Sequence, residues 1–194
     1  MIATVPGPVR DRLLTTANEL FYAYGLRAVS VDRVIERAGT TKVTFYRHFR
    51  SKDELLVAYL EHRAAQERAG VDAAIEHGAG DVDVTLELMA NHTGTMACEP
   101  GFRGCPFINA AAEYPDPASP VRVVVDTHRA WWASAFERLV APLHLADPRA
   151  VAEDLVLLRD GVMVAGYLGD PSRVAASFLR SCRAVVGAAE RAAA

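Results

Sequence analysis

Cationic side chains follow one another between residues 37 and 52, a segment that contains no Asp or Glu. Such a run creates a positive field suited to phosphates, and salt-dependent phosphate contacts supply much of the affinity of proteins for DNA. Hydroxyl and amine groups in the segment can hydrogen-bond base edges, and a small apolar side chain suits a thymine methyl. The segment therefore points to double-stranded nucleic acid. Its relevant side chains are Arg37, Thr41, Lys42, Val43, Thr44, Tyr46, Arg47, His48, Arg50 and Lys52.

Two short helices joined by a glycine turn are predicted to carry these side chains. Ser30 is a natural N-cap, and the apolar residues behind it return at the spacing of one helical face. Gly39 then takes a left-handed conformation at little cost. Thr41 caps the second helix, whose inner face holds Phe45 and Phe49. Helix, tight turn and helix form a helix-turn-helix, whereas the alternative is a solvated basic helix on an ordinary bundle.

A third amphipathic helix is predicted where the second, over residues 42–48, ends. Ser51 and Glu54 have the spacing of a capping box, which marks the start of a helix. The apolar pattern behind them predicts a helix that continues towards Arg68 and ends before Gly70.

The first part of the chain is predicted to begin as an arm and continue as a helix. Pro6, Gly7 and Pro8 indicate a loose arm over residues 1–8. An apolar stripe at helical spacing then runs from Arg10 to Tyr24 and completes a three-helix core.

The residues quoted so far resemble a known family. The segment TTKVTFYRHFRSKDELL resembles the helix-turn-helix and linker helix of TetR-type transcriptional regulators, and YGLRAVSVDRVIERAGT resembles the part of that family that precedes it. The resemblance covers residues 10–60. It implies that the second helix of the motif enters the major groove, with Phe45 and Phe49 as core. Position 43, frequently glycine in the family, is valine here. The DNA-binding residues expected are Ser30, Thr41, Lys42, Val43, Thr44, Tyr46, Arg47, His48 and Lys52.

The distribution of charge assigns DNA binding to the first third of the chain. The 194 residues carry a formal net charge of −3. Residues 1–63 hold ten Lys or Arg against seven Asp or Glu, whereas residues 64–194 hold eleven against seventeen. The acidic remainder is repelled from a duplex, which favours one docking face.

Composition narrows the class of protein. No apolar run approaches the length of a membrane span, and the start lacks the order of a signal peptide, so a cytoplasmic location without membrane association is the expectation. Three cysteines argue against a disulfide scaffold in a chain of this size. Cys98 and Cys105 have no neighbouring His at a zinc-binding spacing, so neither a metal site nor a cofactor is predicted.

Beyond the helix-turn-helix, further helices and no strand are predicted, so the fold class is all-α. Two domains are predicted. Residues 1–50 form the DNA-binding domain, and residues 51–194 form the linker helix together with the domain for ligand binding and dimerisation. One helix is expected over residues 82–98, with Val84, Leu88 and Met89 inward, and a short one over 107–113. Three dipeptides offer an N-cap followed by proline at the first helical position. They are Ser119-Pro120, Asp147-Pro148 and Asp170-Pro171, which predict helices over residues 121–139, 149–168 and 172–189.

The last two helices are apolar on more than one face, as expected of helices that are central or covered by another chain. The resemblance implies that they form a four-helix dimer interface, and two-fold symmetry suits the reading of a palindromic operator. The alternative is a monomer in which both are ordinary core helices.

Aromatic, sulfur-containing and polar side chains crowd the middle of the chain, as in pockets for small molecules. An apolar stripe at helical spacing is also typical of plain core. The predicted pocket would take a partly apolar effector of unknown identity. Its candidate residues are Met89, His92, Phe102, Phe107, Asn109, Tyr114, His128, Trp131 and Trp132.

The leading hypothesis is a homodimeric DNA-binding regulator, expected to act as a ligand-responsive repressor. Cys105 offers an alternative, a thiol that senses electrophiles or oxidants, although a buried inert cysteine is the simpler interpretation. An enzyme would need Cys105, His92 or His128, and Glu113 as nucleophile, base and orienter. No motif with catalytic spacing supports it, so the chain is not expected to be an enzyme. A helical ligand-binding protein without DNA binding is the remaining class.

Overall fold

The computed structural model describes residues 9–193. The arm predicted over residues 1–8 lies outside the described residues. Within them the chain is helical and contains no strand, in agreement with the predicted all-α class. None of the described helices is both long and apolar enough to cross a membrane. The helices are α1 (Val9–Tyr24), α2 (Val31–Arg37), α3 (Lys42–His48), α4 (Lys52–Gly78), α5 (Val82–Ala97), α6 (Pro106–Glu113), α7 (Pro120–Val140), α8 (Pro148–Leu168) and α9 (Val174–Ala193).

The helices form two compact units. The first unit runs through Ala64 and includes Asn109–Val125, and the second comprises Ala65–Ile108 with the chain from Asp126 onward. Because α4, α6 and α7 contribute residues to both units, the units are interleaved along the chain. The predicted boundary between residues 50 and 51 stays a prediction.

Local capping fixes the helix-turn-helix as predicted. The Ser30 hydroxyl accepts a hydrogen bond from the Arg33 N–H at 3.2 Å, and the Thr41 hydroxyl accepts one from the Thr44 N–H at 3.2 Å. Gly39 has φ +61° and ends α2 with the paired backbone hydrogen bonds of a Schellman motif. These caps set where α2 ends and where α3 begins.

Aromatic and aliphatic side chains form the core beneath the helix-turn-helix. Phe45 and Phe49 are almost completely buried, with ring centroids 5.8 Å apart, and Leu13 and Phe21 of α1 are buried as well. Burying a side chain of this size stabilises a fold by about 1.5–3 kcal/mol. The inner face predicted for the motif is therefore its core.

The helix that follows is longer than predicted. The Ser51 hydroxyl accepts from the Glu54 N–H at 3.1 Å, which confirms the helix start, although the Glu54 carboxylate bonds to the Arg50 N–H instead of closing the capping box on Ser51. The predicted end near Arg68 is wrong, because α4 continues to Gly78. A mid-helix glycine costs only about 1 kcal/mol. Burial of Val71 favours continuing the helix past Gly70.

Small residues let the helices of the second unit approach closely. A Cβ on Gly78 would lie 1.9 Å from the Thr85 hydroxyl, and one on Gly94 would lie 2.7 Å from the Ala175 methyl. Glycine is therefore required where α4 meets α5 and where α5 meets α9. The predicted inward face of α5 is partly wrong, since Val84 and Leu88 are exposed and only Met89 is buried. The buried face of α5 carries other residues, including Val82, Thr85, Leu86 and Ala90.

Proline-led helix starts are observed in the last third of the chain. α7 and α8 begin at Pro120 and Pro148, and the Asp147 carboxylate caps α8 by accepting from the Ala150 N–H at 3.0 Å. Asp170 caps a short 3₁₀ turn, Pro171–Arg173, from which α9 continues to Ala193, beyond the predicted end at residue 189. The hydrogen bonds from Ser172 hold the pKa of the Asp170 carboxyl below its usual range.

Candidate nucleic-acid interface and effector cleft

Six of the nine predicted DNA-contacting side chains lie exposed on α3 or its N-cap. Val43 and Tyr46 are 66% and 47% exposed, whereas Phe45 between them is fully buried. A helix only seven residues long thus separates a core face from a solvent face. We call the exposed residues of this helix and its cap the reading surface, which consists of Thr41, Lys42, Val43, Tyr46, Arg47 and His48.

Hydrogen bonds order the amino-terminal end of the reading surface. The Thr41 and Thr44 hydroxyls are 2.9 Å apart, so one donates to the other and both side chains are held in place. Thr44 itself is half-buried, and Ser30 is exposed at the start of α2. A hydroxyl that accepts a capping bond keeps its own O–H as a donor. Ser30 is therefore able to cap α2 and donate to a phosphate.

Ion pairs on this surface are weak and replaceable. The Lys42 ammonium lies 3.6 Å from an Asp32 carboxylate oxygen, and Arg37 lies 3.8 Å from Glu19, with all four side chains more than half exposed. Exposed pairs of this kind contribute about 0–1 kcal/mol. A DNA phosphate is thus able to compete for both cations.

Lys52, the last predicted phosphate contact, has a different setting. Its side chain is half-buried, and the ammonium donates a hydrogen bond to the Arg27 carbonyl at 3.1 Å. Burial lowers the pKa of Lys52, although the charges of Glu113 and Asp53 oppose this effect. The Lys52 side chain therefore links the start of α4 to the turn between α1 and α2.

A cleft in the second unit includes three of the predicted ligand residues. Met89, His92 and Trp132 line it, and its volume accessible to the centre of a water molecule is about 70 Å³. The exposed lining is mainly apolar, as in most small-molecule sites. Other lining residues are Leu88, Met96, Met163, Phe178, Glu67 and Arg159.

The other predicted ligand residues do not line this cleft. The Phe107 and His128 rings stack with centroids 3.6 Å apart, and Trp131 stacks on His128 at 5.7 Å, so these three form an aromatic layer. Asn109 is exposed, and the Tyr114 ring lies 5.2 Å from the Arg27 guanidinium in the first unit. Phe102 is half-buried against Gly166. Their participation in ligand binding stays a prediction.

The polar end of the cleft is not predicted by the sequence. Glu67 Oε2 accepts hydrogen bonds from His128 Nε2 at 3.1 Å, Trp132 Nε1 at 3.3 Å and Arg159 Nη2 at 3.0 Å. The second guanidinium nitrogen of Arg159 lies 3.1 Å from the Cys105 sulfur. We call these five residues the buried cluster. Its members come from α4, α7, α8 and the residue before α6, so no local spacing reveals it.

The charge of Glu67 is stabilised within the buried cluster. Burial alone would raise the pKa of its carboxyl, but the hydrogen bond from His128 and the charge of Arg159 outweigh burial and leave it lowered. The acid therefore remains ionised at neutral pH and is paired with Arg159.

Known proteins resemble this chain in sequence and in fold. The family described as bacterial regulatory proteins, tetR family, matches residues 13–59. The solved structure of a TetR-family transcriptional regulator from Streptomyces coelicolor is 41% identical, with a TM-score of 0.88 over 94% of this chain and 96% of that one. The reduced form of Escherichia coli NemR has a TM-score of 0.80 at 20% identity over 92% and 97% of the two chains, a likeness in fold alone.

Curated relatives are similar over shorter spans. The transcriptional activator FasR of Mycolicibacterium smegmatis is 38% identical over 66 residues, 34% of this chain. The transcriptional repressor NemR of E. coli is 26% identical over 118 residues, 60% of this chain. The chain spans 30% of the length of FasR and 59% of that of NemR.

Proposed function

We propose, from the premise that this chain belongs to the TetR family of bacterial regulatory proteins, that it binds a palindromic operator as a homodimer and that a small molecule controls this binding. The observation that carries the proposal is the reading surface, a cationic and hydroxyl-bearing face ordered by two helix caps above a buried aromatic core. Regulation by repression and a cytoplasmic location are part of the same proposal.

Exposed apolar side chains on α8 support a homodimer. Leu157, Val164 and Leu168 are 63%, 45% and 76% exposed, and with Gly161 they follow one another at the spacing of one helical face. Contiguous apolar surface of this kind marks a protein interface. A second copy covering α8 and α9 would pair two reading surfaces for half-sites about 34 Å apart or a multiple of that distance.

The reading surface is tested by single alanine substitutions. Lys42→Ala and Tyr46→Ala should each weaken binding to a palindromic duplex from the upstream region of the gene by about tenfold, because each removes a contact worth about 1–3 kcal/mol. Fluorescence anisotropy over a salt series measures both the affinity and its salt dependence. Arg138→Ala, which removes an exposed cation of α7, is the matched control. Specific binding retained by both reading-surface variants would refute the assignment.

The cleft is the proposed effector site. Its apolar lining favours a mainly apolar ligand. The ligand is also expected to be uncharged, because Glu67 and Arg159 already neutralise each other and a charged ligand would be repelled by the member of the pair that has the same charge.

A matched pair of arginine substitutions tests the cleft. Leu88→Arg places a charge on its apolar lining and should weaken binding of the neutral dye Nile red by at least about tenfold. Val84→Arg lies one turn earlier on α5, is similarly exposed and is not among the lining residues, so dye binding should stay unchanged. Dye fluorescence measures both. Equal effects of the two substitutions would rule out the cleft as the binding site.

The contacts of the enzyme candidates favour a regulator. The carboxylate of Glu113 is bonded to the backbone N–H groups of Leu26 and Arg27, and the ring of His128 is bonded to Glu67. Both oxygens of Glu113 and the Nε2 atom of His128 are therefore already hydrogen-bonded, and the His128 Nδ1 atom is buried without a partner. The relatives named above are regulators as well.

Thiol sensing through Cys105 is a second candidate function. The Arg159 guanidinium donates a hydrogen bond to the sulfur of this thiol at 3.1 Å. The thiol is only 2% exposed, so a reagent must enter through motion of the unit. Burial raises the pKa of the Cys182 thiol to about 12, which disfavours the reactive thiolate there. Cys105 is thus the better candidate of these two buried thiols.

A further inference from the structure

Glu113, the last residue of α6, is bonded to the turn between α1 and α2. One carboxylate oxygen accepts from the Leu26 N–H at 2.9 Å and the other from the Arg27 N–H at 2.6 Å. Successive backbone N–H groups that converge on an anion form a nest. Gly25, with φ +93°, supplies the left-handed residue that shapes it, and a Cβ there would lie 3.0 Å from a Glu113 oxygen. The turn and the carboxylate therefore fit each other.

The same turn holds Lys52. The Arg27 carbonyl, in the peptide unit that follows the N–H groups bound by Glu113, accepts from the Lys52 ammonium at 3.1 Å. An ammonium has three donors, so two remain for a phosphate. The Arg27 guanidinium lies over the Tyr114 ring, next in the chain to Glu113. Both the backbone and the side chain of Arg27 are thus fixed by the end of α6.

We infer that Glu113 is a positioning residue for DNA binding, which acts through the Arg27 carbonyl to hold the Lys52 ammonium where it meets a phosphate. The inference rests on the proposed function, since it requires that Lys52 contacts DNA. Glu113 itself carries a negative charge and does not touch the duplex. Its contribution to DNA affinity is indirect and depends entirely on Lys52.

Salt-dependent DNA binding of three variants tests this inference. Glu113→Gln keeps the shape of the side chain but replaces one acceptor oxygen by an NH₂ group. The amide can therefore accept from only one of the two backbone N–H groups, those of Leu26 and Arg27. The substitution should lower affinity for the palindromic duplex by about tenfold and reduce the slope of log affinity against log salt by about 0.9, the value of one phosphate contact. Lys52→Ala should reduce the slope equally. In the double variant, Glu113→Gln should cause no further loss.

Controls separate positioning from a structural role. Glu61→Gln removes an exposed carboxylate of α4 in the same unit and should leave the slope unchanged. Glu113→Asp, which keeps the charge on a shorter side chain, replaces Glu113→Gln if the latter fails to fold. Additive losses in the double variant would overturn the inference, because a structural role does not depend on Lys52. Failure of the wild-type chain to bind would overturn the proposed function as well.

Discussion

Phe45→Ala should lower the free energy of unfolding of the first unit by about 3–5 kcal/mol, the usual cost of truncating a buried phenylalanine. Phe45 is fully buried, and its ring contacts those of Tyr46 and Phe49, with centroids 5.2 and 5.8 Å away. α3 has only seven residues and no long apolar face to compensate for the loss. Chemical denaturation followed by circular dichroism measures the change, and DNA binding should be lost with it.

Val43→Ala is the control for Phe45→Ala. Val43 lies two residues away on the same helix but is 66% exposed, and a substitution at such a position usually changes stability by no more than about 0.5 kcal/mol. DNA binding of this variant should change only through the lost apolar contact with a base. A destabilisation of Val43→Ala as large as that of Phe45→Ala would contradict the division of α3 into a core face and a reading surface.

Predictions from local signals succeeded where the signal itself determines the structure. Ser30, Thr41 and Asp147 cap helices because a short polar side chain reaches the backbone N–H three residues on, and each of these caps is observed. The all-α fold, the TetR-type helix-turn-helix and membership of the TetR family are confirmed by structure and by relatives. The residues that contact DNA or ligand stay predictions.

Predictions failed where contacts distant in sequence decide. Gly70 was expected to follow the end of α4, yet the helix passes through it, and Val71 directly behind it is buried. Val84 and Leu88 follow an apolar pattern that does not coincide with the buried face of α5. Glu113 and Leu26 are 87 positions apart, and no spacing rule connects a carboxylate to a turn at that distance.

Arg159→Met should lower the free energy of unfolding by about 3–5 kcal/mol, because it leaves the Glu67 carboxylate without its charged partner in a poorly solvated setting. The two side chains are only 9% and 20% exposed. Since the pKa of Glu67 is lowered in the folded state, its charge contributes stability above its unfolded pKa of about 4.3. That contribution is lost as the pH falls through the folded value. Denaturation of wild type and variant between pH 7 and pH 3 measures both effects.

The double variant Glu67→Gln/Arg159→Met isolates the ion pair from the packing around it. With no uncompensated charge, it should recover most of the stability lost in Arg159→Met and show a weaker dependence on acid pH. Recovery of less than half would mean that the guanidinium acts mainly through its packing on the Trp132 ring, 4.9 Å away.

The double variant Glu67→Gln/Arg159→Met also tests thiol sensing. Alkylation of the Cys105 peptide by iodoacetamide should be slower in this variant than in the wild type, because the Arg159 guanidinium next to the sulfur is gone. Equal alkylation rates in wild type and double variant would assign Cys105 to the core alone.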